Sequence, residues 1–281
     1  MTKRELIREG EKRLLSGDVP DASLSARSLF LTLAGWDTET WLLRADEEST
    51  KEEQEAYFAL INKRSERIPL QYLAGNTWFY GYNFLVNENV LIPRFDTEVL
   101  VQTVLEKEGD RALEVLDLCT GSGCIGITLK LCAPAYTVTA SDLSEKALDT
   151  AEANAKRLGA EVRFVESDLF ERIPERFDLI VSNPPYIAEE EIQKLDPEVK
   201  DHEPLSALSG GADGLDFYRR IAEEAGAHLN QGGRIYLEIG YDQGASVMEL
   251  FEIKGFTGGR LIRDLSGKDR VFTAVLGGYN V

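Results

Sequence analysis

From Arg111 onward the chain alternates short apolar runs with helix-length amphipathic stretches, and this alternation restricts the fold more than any other feature. The runs fall at 112–118, 136–140, 162–165, 177–181, 234–239 and 271–276, with helical patterns at 144–158 and 214–229 between them. Strands buried on both faces read as continuous apolar runs. Their alternation with helices builds a mostly parallel sheet covered on both sides. The C-terminal end departs from the rule, because 258–264 and 268–276 lie too close together to hold a helix between them. An antiparallel hairpin at one edge of a mostly parallel, seven-stranded sheet is the predicted outcome.

The first ~70 residues carry a helical period instead. Leu6, Ile7, Leu14 and Leu15 recur on one face, and Asp21 or Ser23 is placed to cap a second segment. Thr50 with Glu53 three positions later is a capping box, and Tyr57, Phe58, Leu60 and Ile61 follow it. Pro69 and Gly75 then punctuate the chain, and the aromatic stretch 76–92 alternates around Gly81 as a hairpin would. The expected organisation is a helical domain at 1–72, a β-hairpin linker at 73–92 and an α/β domain at 93–281.

Composition narrows the function. The net charge is −18, and most of the acidic excess lies beyond residue 70. A nucleic-acid enzyme presents a basic surface to phosphates, so an acidic α/β domain points to a small molecule or protein as partner. No run approaches the ~20 apolar residues of a membrane span. The first residues are charged with both signs, so no signal peptide is expected. Cys119, Cys124 and Cys132 crowd one segment without a second metal-binding pair, which fits a reducing cytoplasm.

The first strand runs into Asp117-Leu118-Cys119-Thr120-Gly121-Ser122-Gly123. Glycines at a strand-to-helix turn let backbone approach a ligand that a Cβ would repel. Read literally, 121–126 matches a dinucleotide fingerprint, with Asp142 following at the ~20-residue spacing of its ribose-binding acid. A nicotinamide cofactor therefore stays open on this turn alone, and Asp142 could instead cap the following helix. Two further acids favour S-adenosylmethionine. Asp117 opens the turn, where an amino-acid moiety rather than a pyrophosphate would meet it. Asp168 ends the third strand beside Leu169, where an adenine amino group needs an acceptor, although it could merely cap a turn.

The fourth strand ends in Asn183-Pro184-Pro185-Tyr186. Ligands of open α/β sheets bind beyond the carboxyl ends of strands, which puts this tetrapeptide beside the cofactor. Its prolines lack N–H groups, so the backbone there can only accept hydrogen bonds. The Asn183 side-chain oxygen adds an acceptor and Tyr186 a flat face. Such a site suits a planar NH2 group whose nitrogen faces a methyl donor. Neither histidine, His202 or His228, lies in a motif.

With Ile92-Pro93-Arg94-Phe95-Asp96-Thr97-Glu98, the 117–123 turn, Asn183 to Tyr186, Glu203 to Leu208 and Asp269-Arg270-Val271, the chain resembles the peptide chain release factor glutamine N5-methyltransferases, the PrmC/HemK family. The resemblance covers nearly the whole length and is least specific over 1–65. It implies a Rossmann-like class I methyltransferase domain behind a helical domain that recognises the protein substrate. It further implies methyl transfer from S-adenosylmethionine, leaving S-adenosylhomocysteine, to the glutamine of a Gly-Gly-Gln motif, with an effect on translation termination. Asp117, Cys119, Thr120, Gly121, Ser122 and Gly123 would hold the methionine part of the cofactor. Asp142 would take the ribose, and Asp168 with Leu169 the adenine. Asn183 and the Pro184 carbonyl would accept the two substrate amide hydrogens, with Pro185 and Tyr186 lining the site. A monomer in the cytoplasm, with no direct nucleic-acid or membrane partner, is expected.

The family commonly has glycine at position 119, proline at 95 and in some members tryptophan at 169, where this chain has Cys119, Phe95 and Leu169. An ordinary φ is expected at Cys119, which would alter the start of the turn slightly. Two rivals remain: a nucleic-acid N-methyltransferase with the same tetrapeptide, and a non-catalytic scaffold that binds the cofactor.

Overall fold

A computed structural model describes residues 1–277, which divide into two compact units. The first contains 1–76 together with 196–202, and the second contains 77–195 and the chain from Glu203 onward.

The first unit is helical: α1 (Lys3–Ser16), α2 (Ala22–Ala34), α3 (Thr38–Arg44), α4 (Lys51–Ser65) and α5 (Leu70–Ala74). Both α1 and α4 open with complete capping boxes, Thr2 with Glu5 and Thr50 with Glu53. Leu6, Leu14, Leu29, Phe30, Trp41, Tyr57 and Ile61 form the core, with the rings of Trp41 and Tyr57 both packed against Phe30. Gly10 lies against the Tyr57 ring so closely that α1 could not carry a Cβ there without moving it. Asp21 stands at the start of α2 but does not cap it with its side chain. Its carboxylate instead takes the buried Arg64 guanidinium at 2.8 Å. Arg64 also pairs with Glu198 at 2.9 Å, and Arg67 reaches the same carboxylate. Glu198 lies in the later segment 196–202, so this helical unit is completed by residues far along the chain.

The second unit begins with the hairpin β1 (Asn76–Phe79) and β2 (Tyr82–Leu85), then α6 (Glu98–Glu108), β3 (Glu114–Leu118), α7 (Cys124–Cys132), β4 (Thr137–Asp142), α8 (Glu145–Leu158), β5 (Val162–Glu166) and β6 (Phe177–Ser182). The single-turn helix α9 (Glu189–Ile192) follows, the chain returns to the first unit for α10 (Pro197–Lys200), and the second unit resumes with α11 (Asp216–His228), β7 (Leu229–Glu238), α12 (Gly244–Ile253), β8 (Phe256–Arg263) and β9 (Asp269–Leu276). The seven strands follow the order β5-β4-β3-β6-β7-β9-β8. All neighbours from β5 to β7 are parallel, and β9 runs antiparallel between β7 and β8, as the edge hairpin requires.

Alternation along the strands supplies a core on each face. Leu116, Leu118 and Ile180 pack with Tyr218, Ile221 and Phe251 of α11 and α12. Val115, Leu179 and Val181 pack with Val101, Val104, Ile125 and Ile127 of α6 and α7. Phe79 and Phe84 of the first hairpin are buried in that second cluster, so the hairpin is core to this unit as well as a connection. The order of strands reverses between β3 and β6, which opens a crevice at their carboxyl ends.

Candidate active site

A cavity occupies that crevice, and its lining comes entirely from the second unit. Cys119, Thr120, Gly121 and Ser122 reach it from the turn after β3, Asp142 from the end of β4, and Asp168 and Leu169 from the turn after β5. Asn183 and Pro185 reach it from the end of β6. Asp117, Gly123, Pro184 and Tyr186 are not among the lining residues.

Asp117 faces α7 and is fully buried. Its Oδ2 accepts from the Thr120 hydroxyl at 2.6 Å and the Gly126 amide at 2.9 Å, so it braces the turn from behind and does not line the cavity. Gly126 makes this possible, since an added Cβ would stand 2.9 Å from that same oxygen. Burial pushes the Asp117 carboxyl up to about 7, against the two hydrogen bonds that favour its charged form.

Cys119 has φ +56°, in the left-handed region, which corrects the ordinary φ expected from its side chain. The chain keeps the glycine-like shape of the turn and accepts the strain, which for an L-residue costs roughly 1–2 kcal/mol. Leu169, with φ +50°, does the same at the adenine end expected from sequence. Burial raises the Cys119 thiol above its ordinary range.

Asp142 receives the Gly121 amide on Oδ2 at 2.8 Å and the Ser144 amide on Oδ1 at 3.0 Å. Helix α8 is capped by the Ser144 side chain, so Asp142 is not needed for that role. Each carboxylate oxygen keeps a lone pair for a further donor. Burial raises the Asp142 carboxyl and the backbone amides oppose the rise. Asp168 is paired with Arg220 of α11 at 2.8 Å through Oδ1, a partner that no local sequence pattern announces.

At the other end of the cavity, Asn183 donates from Nδ2 to the Thr97 hydroxyl oxygen at 3.2 Å. Its Oδ1 accepts no hydrogen bond from the described residues, and the side chain borders the cavity. Tyr186 is turned away. Its hydroxyl donates to Glu238 at 3.2 Å, and its carbonyl accepts from Gln243 at 2.9 Å. The tyrosine thus anchors the tetrapeptide and does not form a face of the cavity. Pro184 is buried in the same strand end.

The two motifs without assigned roles in the sequence meet here. Glu203 is buried, accepts the Ile92 amide at 3.2 Å and pairs with Arg94. This ties 203–208 to 92–98, so Pro204, Ser206 and Ala207 line the cavity together with Arg94 and Thr97. Both histidines lie elsewhere: His228 stacks on Phe170, and His202 contacts the Glu66 carbonyl. Among the described residues no helix is long and apolar enough to cross a membrane.

A family model for a methyltransferase small domain matches residues 94–196, and one for a PrmC N-terminal domain matches residues 5–75. A release factor glutamine methyltransferase of Agrobacterium fabrum is 41% identical over 277 residues, covering 96% of this chain and 95% of that one. Another, from Clostridium botulinum, is 40% identical over 280 residues, covering 98% and 99% of the two chains. A methyltransferase structure from Pyrococcus furiosus superposes with a TM-score of 0.57 over 78% of this chain and 99% of its own, at 20% identity. That likeness concerns the fold alone.

Proposed function

The chain belongs to the release factor glutamine methyltransferases, and from that premise we propose that it methylates the side-chain amide nitrogen of a glutamine in a peptide chain release factor, with S-adenosylmethionine as donor. The observation that carries this reading is the orientation of Asn183. Its NH2 end is committed to Thr97, which leaves an acceptor oxygen at the cavity beside the glycine turn. An acceptor there fits a substrate NH2, taking one of its hydrogens while the nitrogen faces the methyl donor.

The residues present suit the donor. Gly121, at φ +55°, has open space where a Cβ would stand, so backbone can lie against a methionine moiety. Asp142 retains lone pairs for a ribose diol, and Asp168 retains Oδ2 for an adenine amino group. When bound, S-adenosylmethionine supplies an electrophilic methyl carried on a sulfonium. This chain supplies position and field. An amide nitrogen is a poor nucleophile because its lone pair is delocalised into the carbonyl. Accepting one N–H at Asn183 Oδ1 fixes the NH2 plane and favours charge developing on nitrogen. Holding the two reactants in line accounts for roughly 7–11 kcal/mol of barrier lowering in well-oriented systems. The proton leaves to water once the nitrogen is alkylated, so no histidine or metal is required of the site. The second acceptor assigned to the Pro184 carbonyl, and the protein-recognising role of the helical unit, belong to the same reading. So do a monomeric state and a reducing, cytoplasmic setting.

Incubating the purified protein with labelled methyl donor tests it directly. A release factor should take up label on one glutamine, and its glutamine-to-alanine variant, DNA and RNA should not. Label on nucleic acid, or on the glutamine variant, would overturn it.

A further inference from the structure

We propose that Arg220 is a positioning residue that fixes the Asp168 carboxylate for the donor's base, so that helix α11 sets the preference for a purine with an exocyclic amino group; this rests on the reading that Asp168 accepts from the adenine of S-adenosylmethionine.

The backbone around Asp168 is held from several sides. The buried Ser167 hydroxyl donates to the Leu169 carbonyl at 2.9 Å and accepts the Arg172 amide at 3.0 Å. The Asp168 carbonyl accepts the Glu171 amide at 3.2 Å. None of these bonds touches the Asp168 side chain, and the terminal torsion of an aspartate is broad. Among the described residues one partner limits it: Arg220 donates from Nη2 to Oδ1 at 2.8 Å. Asp168 lines the cavity and Arg220 does not. The guanidinium therefore takes one oxygen from beyond the wall and leaves Oδ2 for a ligand. A carboxylate paired in this way only accepts, so it can meet an amino hydrogen and has nothing to donate to a ring nitrogen.

Helix α11 is built to make this contact. Tyr218, Ile221, Ala222 and Ala225 are its buried stripe. Phe217 and Arg220, three positions apart, share the face beside that stripe. Phe217 lines the cavity together with Asp168 and Leu169, and the Arg220 guanidinium carbon lies 6.0 Å from the centre of its ring. One helix thus brings an aromatic wall and the cation that orients the neighbouring acceptor. The adjacent Arg219 is turned to Asp213 and Asp216 instead. Fold stability does not account for the Arg220–Asp168 pair. The two side chains are 41% and 32% exposed, and ion pairs so open to water contribute little. What the pair does fix is the direction of a cavity-lining carboxylate.

The test uses the full-length protein and calorimetry with two ligands: S-adenosylhomocysteine, and its counterpart with purine in place of adenine, which lacks the exocyclic amino group. Wild type should bind the adenine form more tightly by roughly 10- to 100-fold, the range of one hydrogen bond to a charged group. R220A should remove most of that preference by weakening the adenine form alone. R220K, which keeps a cation able to reach Oδ1, should retain most of it, and R219A should leave it intact. In D168A the preference should already be absent, so R220A/D168A should bind both ligands as D168A does. A merely structural Arg220 would weaken both ligands by the same factor, and that result would overturn the inference. So would an unchanged preference in R220A, or a further loss when R220A is added to D168A. Wild type that binds both ligands equally would instead remove the amino group from Asp168, and wild type that binds neither would overturn the choice of donor.

Discussion

The two ends of the cavity are built by different means. At the glycine turn, the groups that fix the geometry are backbone amides no more than 21 positions from the acids they hold: Gly126 on Asp117, and Gly121 and Ser144 on Asp142. At the tetrapeptide they are side chains from distant segments. Thr97, Glu238 and Gln243 stand 86, 52 and 57 positions from the residues they hold. One strand-turn-helix-strand unit, β3 to the end of β4, can encode the first kind of site within itself. The second exists only once the sheet has brought β6, β7 and the segment before α6 together. The first end also carries backbone strain at Cys119 and Leu169, and the second carries a buried charge instead.

Substitutions at the two ends should therefore fail in different observables. The largest effect is expected from Asn183→Ala, which removes the acceptor and leaves the turn intact. By analogy with a lost oxyanion donor, kcat should fall on the order of 10²–10³, with cofactor affinity nearly unchanged; near-normal turnover on release factor would refute amide clamping. Asp142→Ala should do the reverse, weakening cofactor binding by roughly 1.5–3 kcal/mol in calorimetry, and unchanged affinity would remove Asp142 from the ribose site.

A third prediction sharpens the contrast through pH. Burial raises Asp117 to about 7 and Glu238 to about 6 in the folded chain, above ordinary carboxyl values. Between roughly pH 4 and 7 the folded state thus holds protons that the unfolded chain has lost. Their contribution to stability is greatest below about pH 4 and declines as pH rises through those folded values. Asp117→Asn should flatten that decline by up to about 1.4 kcal/mol per pH unit, read from denaturant midpoints across the range. An unaltered slope would mean that Asp117 is ionised throughout. The smallest effect is expected from Cys119→Gly. Relief of the left-handed φ, set against the entropy glycine loses on folding, should stabilise the fold by up to about 1 kcal/mol. A lower unfolding midpoint would show that the thiol's packing outweighs the strain.

This difference also explains what could be read in advance. Six of the seven sheet strands were legible as apolar runs, the signature of a covered sheet, while the edge strand β8 was legible only from its closeness to the last run. The Thr50–Glu53 capping box and the edge hairpin were legible too, since both are local patterns. β7 starts at Leu229 and not near 234, because the Gly232–Gly233 pair interrupts the apolar pattern where its register against β6 shifts. Asp117, Asp142 and Asp168 were found as acids at strand ends, but their partners were not equally visible. Arg220, Thr97 and Glu238 look like ordinary helix, loop and strand residues until tertiary structure gives them something to hold. The side chain at Cys119 argued for one backbone shape, and the turn imposed another. Tyr186 was expected to form a wall of the site because its ring is flat; its hydroxyl found Glu238 instead.

The helical unit is not contiguous, and this has a consequence for inheritance. Its most buried cation, Arg64, is neutralised partly by Glu198, 134 positions downstream and just beyond the tetrapeptide. A gene exchange or fusion that replaces the first 76 residues as a block would carry Arg64 and Arg67 away from the carboxylate they pair with. Chimeras between relatives should tolerate a junction near residue 76 only when the 196–202 segment travels with it.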